Sequence, residues 1–408
     1  MATVRPFHAL RPAAASAARV SAVPYDVVTT AEARALAGGN PLSFLHVSRA
    51  EIDLPDGTDP HADAVYERAA ENFERVKRDA PFARDAEPAL YLYRLRSGDH
   101  VQTGVAGCGS LDEYDSGVVR RHERTRRDKE DDRTRHMLRL AAQTGPVFLT
   151  FRDAPEIDAL VAQGAAAPPL YDFTAPDGVA HTLWRLSPSA SAAVEAAFRR
   201  VPRLYVADGH HRAASAARAR AERRAAGGAG AERAAADGFL AVAFPAGQVR
   251  ILAYNRVVRD LNGRSPEAFL AELSRALDVA AAPSGAPGAK GEVRVYLAGR
   301  WHAAALRPPA ESGAIAALDA DRLQRQVLEP LLAIRDVRTD PRIEFVGGIR
   351  GPAELERLVD SGHAAVAFSL APVSMDELLA VSDADEIMPP KSTWFEPKLR
   401  DGLLIHEI

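Results

Sequence analysis

"YVADGHHRAA", residues Tyr205 to Ala214, places an acid, a glycine, two histidines and an arginine in five consecutive positions between apolar flanks. Leu204, Tyr205 and Val206 favour a strand, and the alanine-rich stretch from Ala213 to Ala221 favours a helix. Gly209 permits a sharp turn between them. The polar cluster therefore stands where a strand stops and a helix starts, and free backbone N–H groups at such a start attract anions. Asp208 is placed to cap the helix or orient a ligand hydroxyl, and Gly209 lets a ligand approach the backbone. His210 and His211 offer ring nitrogens, and the fork of Arg212 suits a phosphate. Adjacent histidines point different ways from a helix start, so the pattern reads as a polyanion or hydroxyl site rather than a zinc site. An aspartate cap beside two surface histidines is the plainer alternative.

Outward from this junction, helix and strand signals alternate. "TTAEARALAGGN" (29–40) is predicted as a helix that Thr29 or Thr30 caps and Gly38-Gly39 ends. "LSFLHVSR" (42–49) reads as a strand. "HADAVYERAAENFERVKRD" (61–79) has a helical period with one wet face. "PALYLYRLRSGDHVQTGVAGCGSL" (88–111) reads as a hairpin turning at Ser97 to Asp99, and "LYDFTAPDGVAHTLWRL" (170–186) as another turning at Asp177-Gly178. Gly-Gly-Ala-Gly at 227–230 reads as a linker. "GFLAVAFPAGQVRILAYNRVV" (238–258) reads as two paired strands. The division expected is a domain over 1–240 carrying the site, a smaller α+β unit over 241–325, and a segment over 326–408 that packs back on the core.

The bulk numbers bound the function. A chain of 408 residues that is 47% hydrophobic can build a sizeable core, and a formal charge of -4 gives no basic field for nucleic acid. One cysteine, Cys108, excludes an intramolecular disulfide framework and a cysteine zinc site. Flanked by glycines with no histidine close in sequence, it reads as a small buried residue rather than a nucleophile. The first twenty residues have no continuous apolar run and no stretch is apolar enough to span a membrane, so a cytoplasmic protein is expected. A homo-oligomer is compatible with this composition.

Two further constellations carry chemistry. "RRHERTRRDKEDDRTRH", Arg120 to His136, holds eight Arg or Lys and five Asp or Glu. Helical spacing pairs Glu123 with Arg127 and Asp131 with Arg135, which is what a solvated helix needs. Yet His122-Glu123 follows "GVV" directly, at a second expected strand-to-helix transition. A carboxylate there can act as a base while Arg124, Arg126 and Arg127 neutralise phosphates. "MPPKSTWFEPKL" (388–399) is proline-stiffened and offers Lys391, Ser392, Thr393 and Lys398 to an anion; it lacks the glycines of a Walker loop. "VPYD" (23–26) and "HVSRAE" (46–51) add Tyr25, Asp26, His46, Ser48 and Arg49 as residues that line a substrate crevice or merely end strands.

Together "VRPFHALRP" (4–12), "VPYDVV" (23–28), "FLHVSRAEIDLP" (44–55), "RHERTRRDKEDDR" (121–133), "YVADGHHRAA" and "MPPKSTWFEPKL" resemble the bacterial and archaeal family called domain of unknown function 1015. That name carries no biochemistry. The Asp-Gly-His-His-Arg core, within residues 104–215, is also similar to the ParB and sulfiredoxin-like superfamily, which includes nucleotide-binding partition proteins and kinases of free serine. This second resemblance implies an α+β fold: a ParB/sulfiredoxin-like mixed α/β core with additional α+β elements. It implies ATP or ADP with Mg²⁺, and a nucleotide-dependent phosphotransferase acting on a small hydroxylated metabolite, free L-serine first. Glu123 would activate the hydroxyl. Asp208, Gly209, His210, His211 and Arg212, with His122, would lie beside substrate and phosphates. Metal ligands are not implied. A non-catalytic nucleotide or anion sensor and a hydrolase using a His-Asp pair are the rival expectations.

Overall fold

The computed structural model describes residues 1–227 and 235–408, so the end of the expected 227–230 linker lies outside the described residues. The chain is an α+β protein. It forms two compact units, residues 1–249 with 397–408, and residues 250–396.

The first unit is built on a nine-stranded mixed sheet. Its order runs Val119–Arg120, Leu204–Asp208, Val147–Phe151, Gly238–Pro245, His100–Ser110, Tyr91–Ser97, Ala180–Arg185, Tyr171–Thr174, with Val4–Arg5 also on His100–Ser110. Both expected hairpins form, with Ser97 opposite His100 and Ala180 opposite Thr174. Leu92, Val105, Leu149, Phe151, Phe198, Val206 and Phe239 are among the residues that close the core on this sheet. A second cluster unites Val20, Ala33, Phe44, Leu45, Phe73 and Val76 from the helices Ala14–Val20, Thr30–Ala37 and Asp63–Asp79 and the chain between them. Thr29 caps its helix reciprocally: its hydroxyl accepts from Glu32 N–H, and the Glu32 carboxylate accepts from Thr29 N–H at 2.8 Å.

The second unit carries a six-stranded antiparallel sheet, ordered Asp278–Ala281, Arg300–Ala305, Glu292–Leu297, Val366–Leu370, Tyr254–Val258, Ile343–Gly347. The helices Pro266–Ala276 and Gly351–Asp360 bury Phe269 and Leu355 in clusters that include residues of this sheet.

Three expectations are corrected. "LSFLHVSR" is helical over Leu45–Ser48, because Phe44, Leu45 and Val47 turn together into the helical cluster instead of alternating. Gly238–Pro245 and Tyr254–Val258 do not pair; each belongs to a different sheet. The three-part division differs from the two units found, since Tyr254–Val258 hydrogen-bonds to strands from beyond residue 326, which ties 250–396 together. Only the last twelve residues return to the first unit.

Gly107 lies where the central strand passes under its neighbours. A Cβ there would stand 2.5 Å from Leu90 Cδ2 and 2.8 Å from Arg5 O. Gly107→Ala is expected to destabilise the chain by about 1–3 kcal/mol through overpacking. Urea unfolding checks this: an unchanged midpoint would mean that the sheet yields locally.

Candidate functional site

The strand Leu204–Asp208 runs parallel to Val119–Arg120, so both deliver their C-terminal ends to one edge of the sheet. At that edge Gly209 adopts φ 92° and ψ 29° and begins the helix His210–Ala225 in the next residue. A Cβ there would meet Arg212 Nε at 3.2 Å and Val147 Cα at 3.4 Å. The N–H of Gly209 donates to Asp208 Oδ1 at 2.9 Å, while Asp208 Oδ2 accepts from Lys398 Nζ at 3.0 Å. Burial opposes ionisation of Asp208, but the charges of Lys398 and Arg212 outweigh it and hold the carboxyl well below its ordinary range.

The chain leaving Arg120 meets this helix start. The backbone N–H of His122 points at His210 Nε2 at 3.5 Å, across 88 residues of sequence. Their rings stand 4.5 Å apart, edge to face. Glu123 Oε2 lies 3.9 Å from His210 Nδ1, with 44% of the Glu123 side chain exposed. Both histidines are buried, at 2% and 4% exposure. Burial lowers His122 to about 4, which the Asp208 charge and the Val206 backbone oppose only in part. Burial, reinforced by His122, also holds His210 well below its ordinary value. The rings are therefore neutral at pH 7. His211 Nε2 accepts from Arg126 N–H at 3.1 Å.

Glu123 precedes the helix Arg127–Leu140, so the expected helical pair with Arg127 does not form. Nor does the Asp131–Arg135 pair: Asp131 joins Arg218, and Arg135 joins Asp63. Arg124, Arg126 and Arg127 are exposed, Arg126 holding Asp128 at 2.7 Å.

Arg212 also walls a cleft enclosing about 470 Å³, its open mouth included, with Tyr25, Ser48, Arg133, His136 and Asp401. Arg212 Nη1 donates to Pro146 O at 2.6 Å, and Nη2 stands 3.9 Å from Asp26. The Arg133 guanidinium lies over the Tyr25 ring at 4.1 Å and pairs with Asp132 at 2.7 Å. Arg212 Nε, Ser48 Oγ and Asp401 Oδ1 are buried without hydrogen-bonding partners. Burial raises Asp401 to about 7, against Arg212, Arg133 and Arg400 and with Asp26. Sequence reasoning missed Arg133 and Asp401. The first looked like one charge in a solvated helix, and nothing local marks "RDG" at 400–402 as buried.

Other candidates are occupied elsewhere. His46 is held by Asp53 at 2.9 Å and by Asn40 O at 3.2 Å, and Arg49 by Glu51 and Thr30, both at 2.8 Å, so these two stabilise the helical cluster. Lys391, Ser392 and Thr393 belong to the second unit, where Lys391 lies 5.4 Å from the Tyr254 ring and Ser392 donates to Pro389 O at 2.7 Å. Burial pushes the Cys108 thiol up to about 12, so it is not a thiolate at neutral pH.

His122, Glu123 and His210 each bring a ligand atom within 4.8 Å of the others. Two imidazoles and one carboxylate do not suit Mg²⁺, which takes oxygen ligands in near-octahedral geometry. Asp208 is already engaged by Lys398.

A family model described as protein of unknown function (DUF1015) matches residues 4–321. No curated protein matches the chain. Among solved structures, a conserved hypothetical protein from Pyrococcus furiosus is similar at 12% identity and a TM-score of 0.34, over 73% of this chain and 94% of that one. A free serine kinase in complex with AMP is similar at 12% identity and a TM-score of 0.35, over 72% and 86%. SbnI with a C-terminal truncation, from Staphylococcus aureus, is similar at 12% identity and a TM-score of 0.37, over 71% and 82%. Such scores assign no role to any residue here. Among the described residues no helix is long and apolar enough to cross a membrane.

The raised Asp401 carboxyl makes stability depend on pH. Between the ordinary carboxylate range and about 7 the folded chain keeps this proton and the unfolded chain does not. Stability is therefore lost as pH rises through that window, by up to about 1.4 kcal/mol per unit. Asp401→Asn is expected to flatten the fall in thermal stability between pH 5 and pH 7. Equal slopes in variant and parent would show that Asp401 is ionised throughout.

Proposed function

We propose, for a chain that belongs to the family described as protein of unknown function (DUF1015), transfer of a phosphoryl group from ATP or ADP to a small hydroxylated metabolite, with free L-serine the specific acceptor. The observation that carries this reading is the approach of the Glu123 carboxylate to buried His210, 3.9 Å apart, at the N-terminus of a sixteen-residue helix. The positive end of that helix and its free N–H groups favour phosphate oxygens. Serine is chosen for the resemblance of Asp208 to Arg212 to the free serine kinase motif.

In this reading Glu123 accepts the proton of the attacking hydroxyl while the terminal phosphoryl leaves the nucleotide, giving phosphoserine and ADP, or AMP when ADP is the donor. The neutral ring of His210 and the ring of His211 position phosphate oxygens, alongside His122. Arg212, held by Pro146 O, and the exposed Arg124, Arg126 and Arg127 offset the charge that develops on the transferred group. Lys398 keeps Asp208 ionised and fixed beside Gly209. The body of the acceptor would enter the cleft walled by Tyr25 and Ser48, with Asp26 3.9 Å from Arg212, where Arg212 and Asp401 present unpartnered polar atoms.

Two substitutions should fail differently. Glu123→Gln keeps shape and removes the base, so nucleotide affinity should survive while turnover falls by roughly 10²-fold or more. Arg212→Met removes five donors and should weaken nucleotide binding together with turnover. Phosphoserine formation from magnesium ATP or ADP, measured beside nucleotide affinity, tests both. Near-normal turnover in Glu123→Gln removes Glu123 from the mechanism. Nucleotide-dependent stabilisation without turnover in the parent chain leaves a sensor, and phosphate release without phosphoserine leaves a hydrolase.

A further inference from the structure

His122 is 2% exposed, and no well-formed hydrogen bond reaches either of its ring nitrogens. A neutral imidazole carries one donor and one acceptor, and an interior that leaves both unmatched is rare enough to need an explanation. Its surroundings supply one. The ring stands edge-on to His210 with 4.5 Å between centroids, and Glu123 approaches His210 to 3.9 Å. Each of the three offers a ligand atom, all within 4.8 Å of one another, contributed by the loop after Val119–Arg120 and by the start of the helix His210–Ala225.

We propose that His122, Glu123 and His210 bind one borderline first-row divalent cation, with Zn²⁺ the best match. Two histidines and one glutamate around an open position form a ligand set of catalytic zinc sites, and imidazole nitrogens select against Mg²⁺. The His122 N–H points at His210 Nε2 at 3.5 Å, the outer limit of a hydrogen bond, which leaves Nδ1, the nitrogen 3.9 Å from Glu123, to face the ion. Three protein ligands leave a position for an oxygen of a phosphate or of the acceptor hydroxyl. In that respect alone the inference rests on the phosphotransferase reading. A carboxylate bound through one oxygen keeps the other to receive a proton, so the two roles of Glu123 are compatible.

The test uses the full chain, stripped with a chelator and titrated with Co²⁺ as the optical probe and with Zn²⁺ in calorimetry. One equivalent should bind, with intense visible Co²⁺ bands of a low-coordinate site, and a large excess of Mg²⁺ should not displace it. Glu123→Ala, at an exposed side chain, should keep the parent circular dichroism; it and His122→Gln should each weaken binding by about tenfold or more. Binding below one equivalent, displacement by Mg²⁺, or parental affinity in Glu123→Ala would overturn the site. Binding is read without turnover, so the two failures separate. Absent phosphoserine formation with Co²⁺ bound removes only the kinase reading; phosphoserine made from magnesium nucleotide by a chain that binds no Co²⁺ removes only the metal site.

Discussion

At Gly209 the backbone must pass from an extended strand into a helix within one residue, and it does so at φ 92°. A side chain is disfavoured there by the left-handed backbone and would crowd the Arg212 guanidinium, 3.2 Å from where a Cβ would stand. The rest of the site depends on this turn. Because no loop intervenes, the Asp208 carboxylate remains at the sheet edge to cap Gly209 N–H, and His210 begins the helix facing the chain that leaves Val119–Arg120. Arg212, one turn of helix later, folds back beneath the glycine and donates to Pro146 O.

The charges around the turn are arranged by pairing and exclusion. Most buried cations of the first unit have a carboxylate close by: Lys398 has Asp208, Arg133 has Asp132, Arg400 has Asp177 and Arg220 has Asp112 and Asp115. Breaking such a pair leaves an uncompensated interior charge, so these residues are constrained whatever they do chemically. Two groups stand apart. Arg212 keeps Asp26 at 3.9 Å and one nitrogen unpartnered. Asp401, with Arg212, Arg133 and Arg400 around it, is still raised to about 7 because burial outweighs all three. Groups left incompletely matched beside an open cleft are where a ligand supplies what the fold does not.

The histidines show a complementary economy. His46 and His136 donate within the fold, to Asp53 and to Val47 O, and serve as core histidines. His211 is oriented by Arg126 N–H. His122 is the one of these whose ring makes no well-formed hydrogen bond. Its neighbours are a second buried ring and a partly exposed carboxylate, so the cluster joins a dry interior to solvent.

Local sequence determined more of the fold than of the site. The capped helix start at Thr29, the hairpin turn after Ser97 and the strand–Gly–helix junction at 204–210 were legible because each depends on residues within one or two turns of one another. The helix at Leu45–Ser48 was not, since a short apolar run serves strand or helix equally and only packing against Phe73 and Val76 decides between them. Candidate residues at Asp208 to Arg212 and at His122-Glu123 could be named from their chemistry and their place after strands. That they meet was decided by the parallel pairing of Leu204 with Val119, a contact no local pattern encodes. The same pairing makes the first residues of the charged segment, Arg121 to Arg126, a loop that sets His122 beside His210 ahead of the helix Arg127–Leu140. Lys398 reached Asp208, and Asp401 reached Arg212, because the last twelve residues return to the first unit. Burial, which neutralises the histidines and raises Asp401, is a property of the assembled interior and exists only once the tertiary structure has formed.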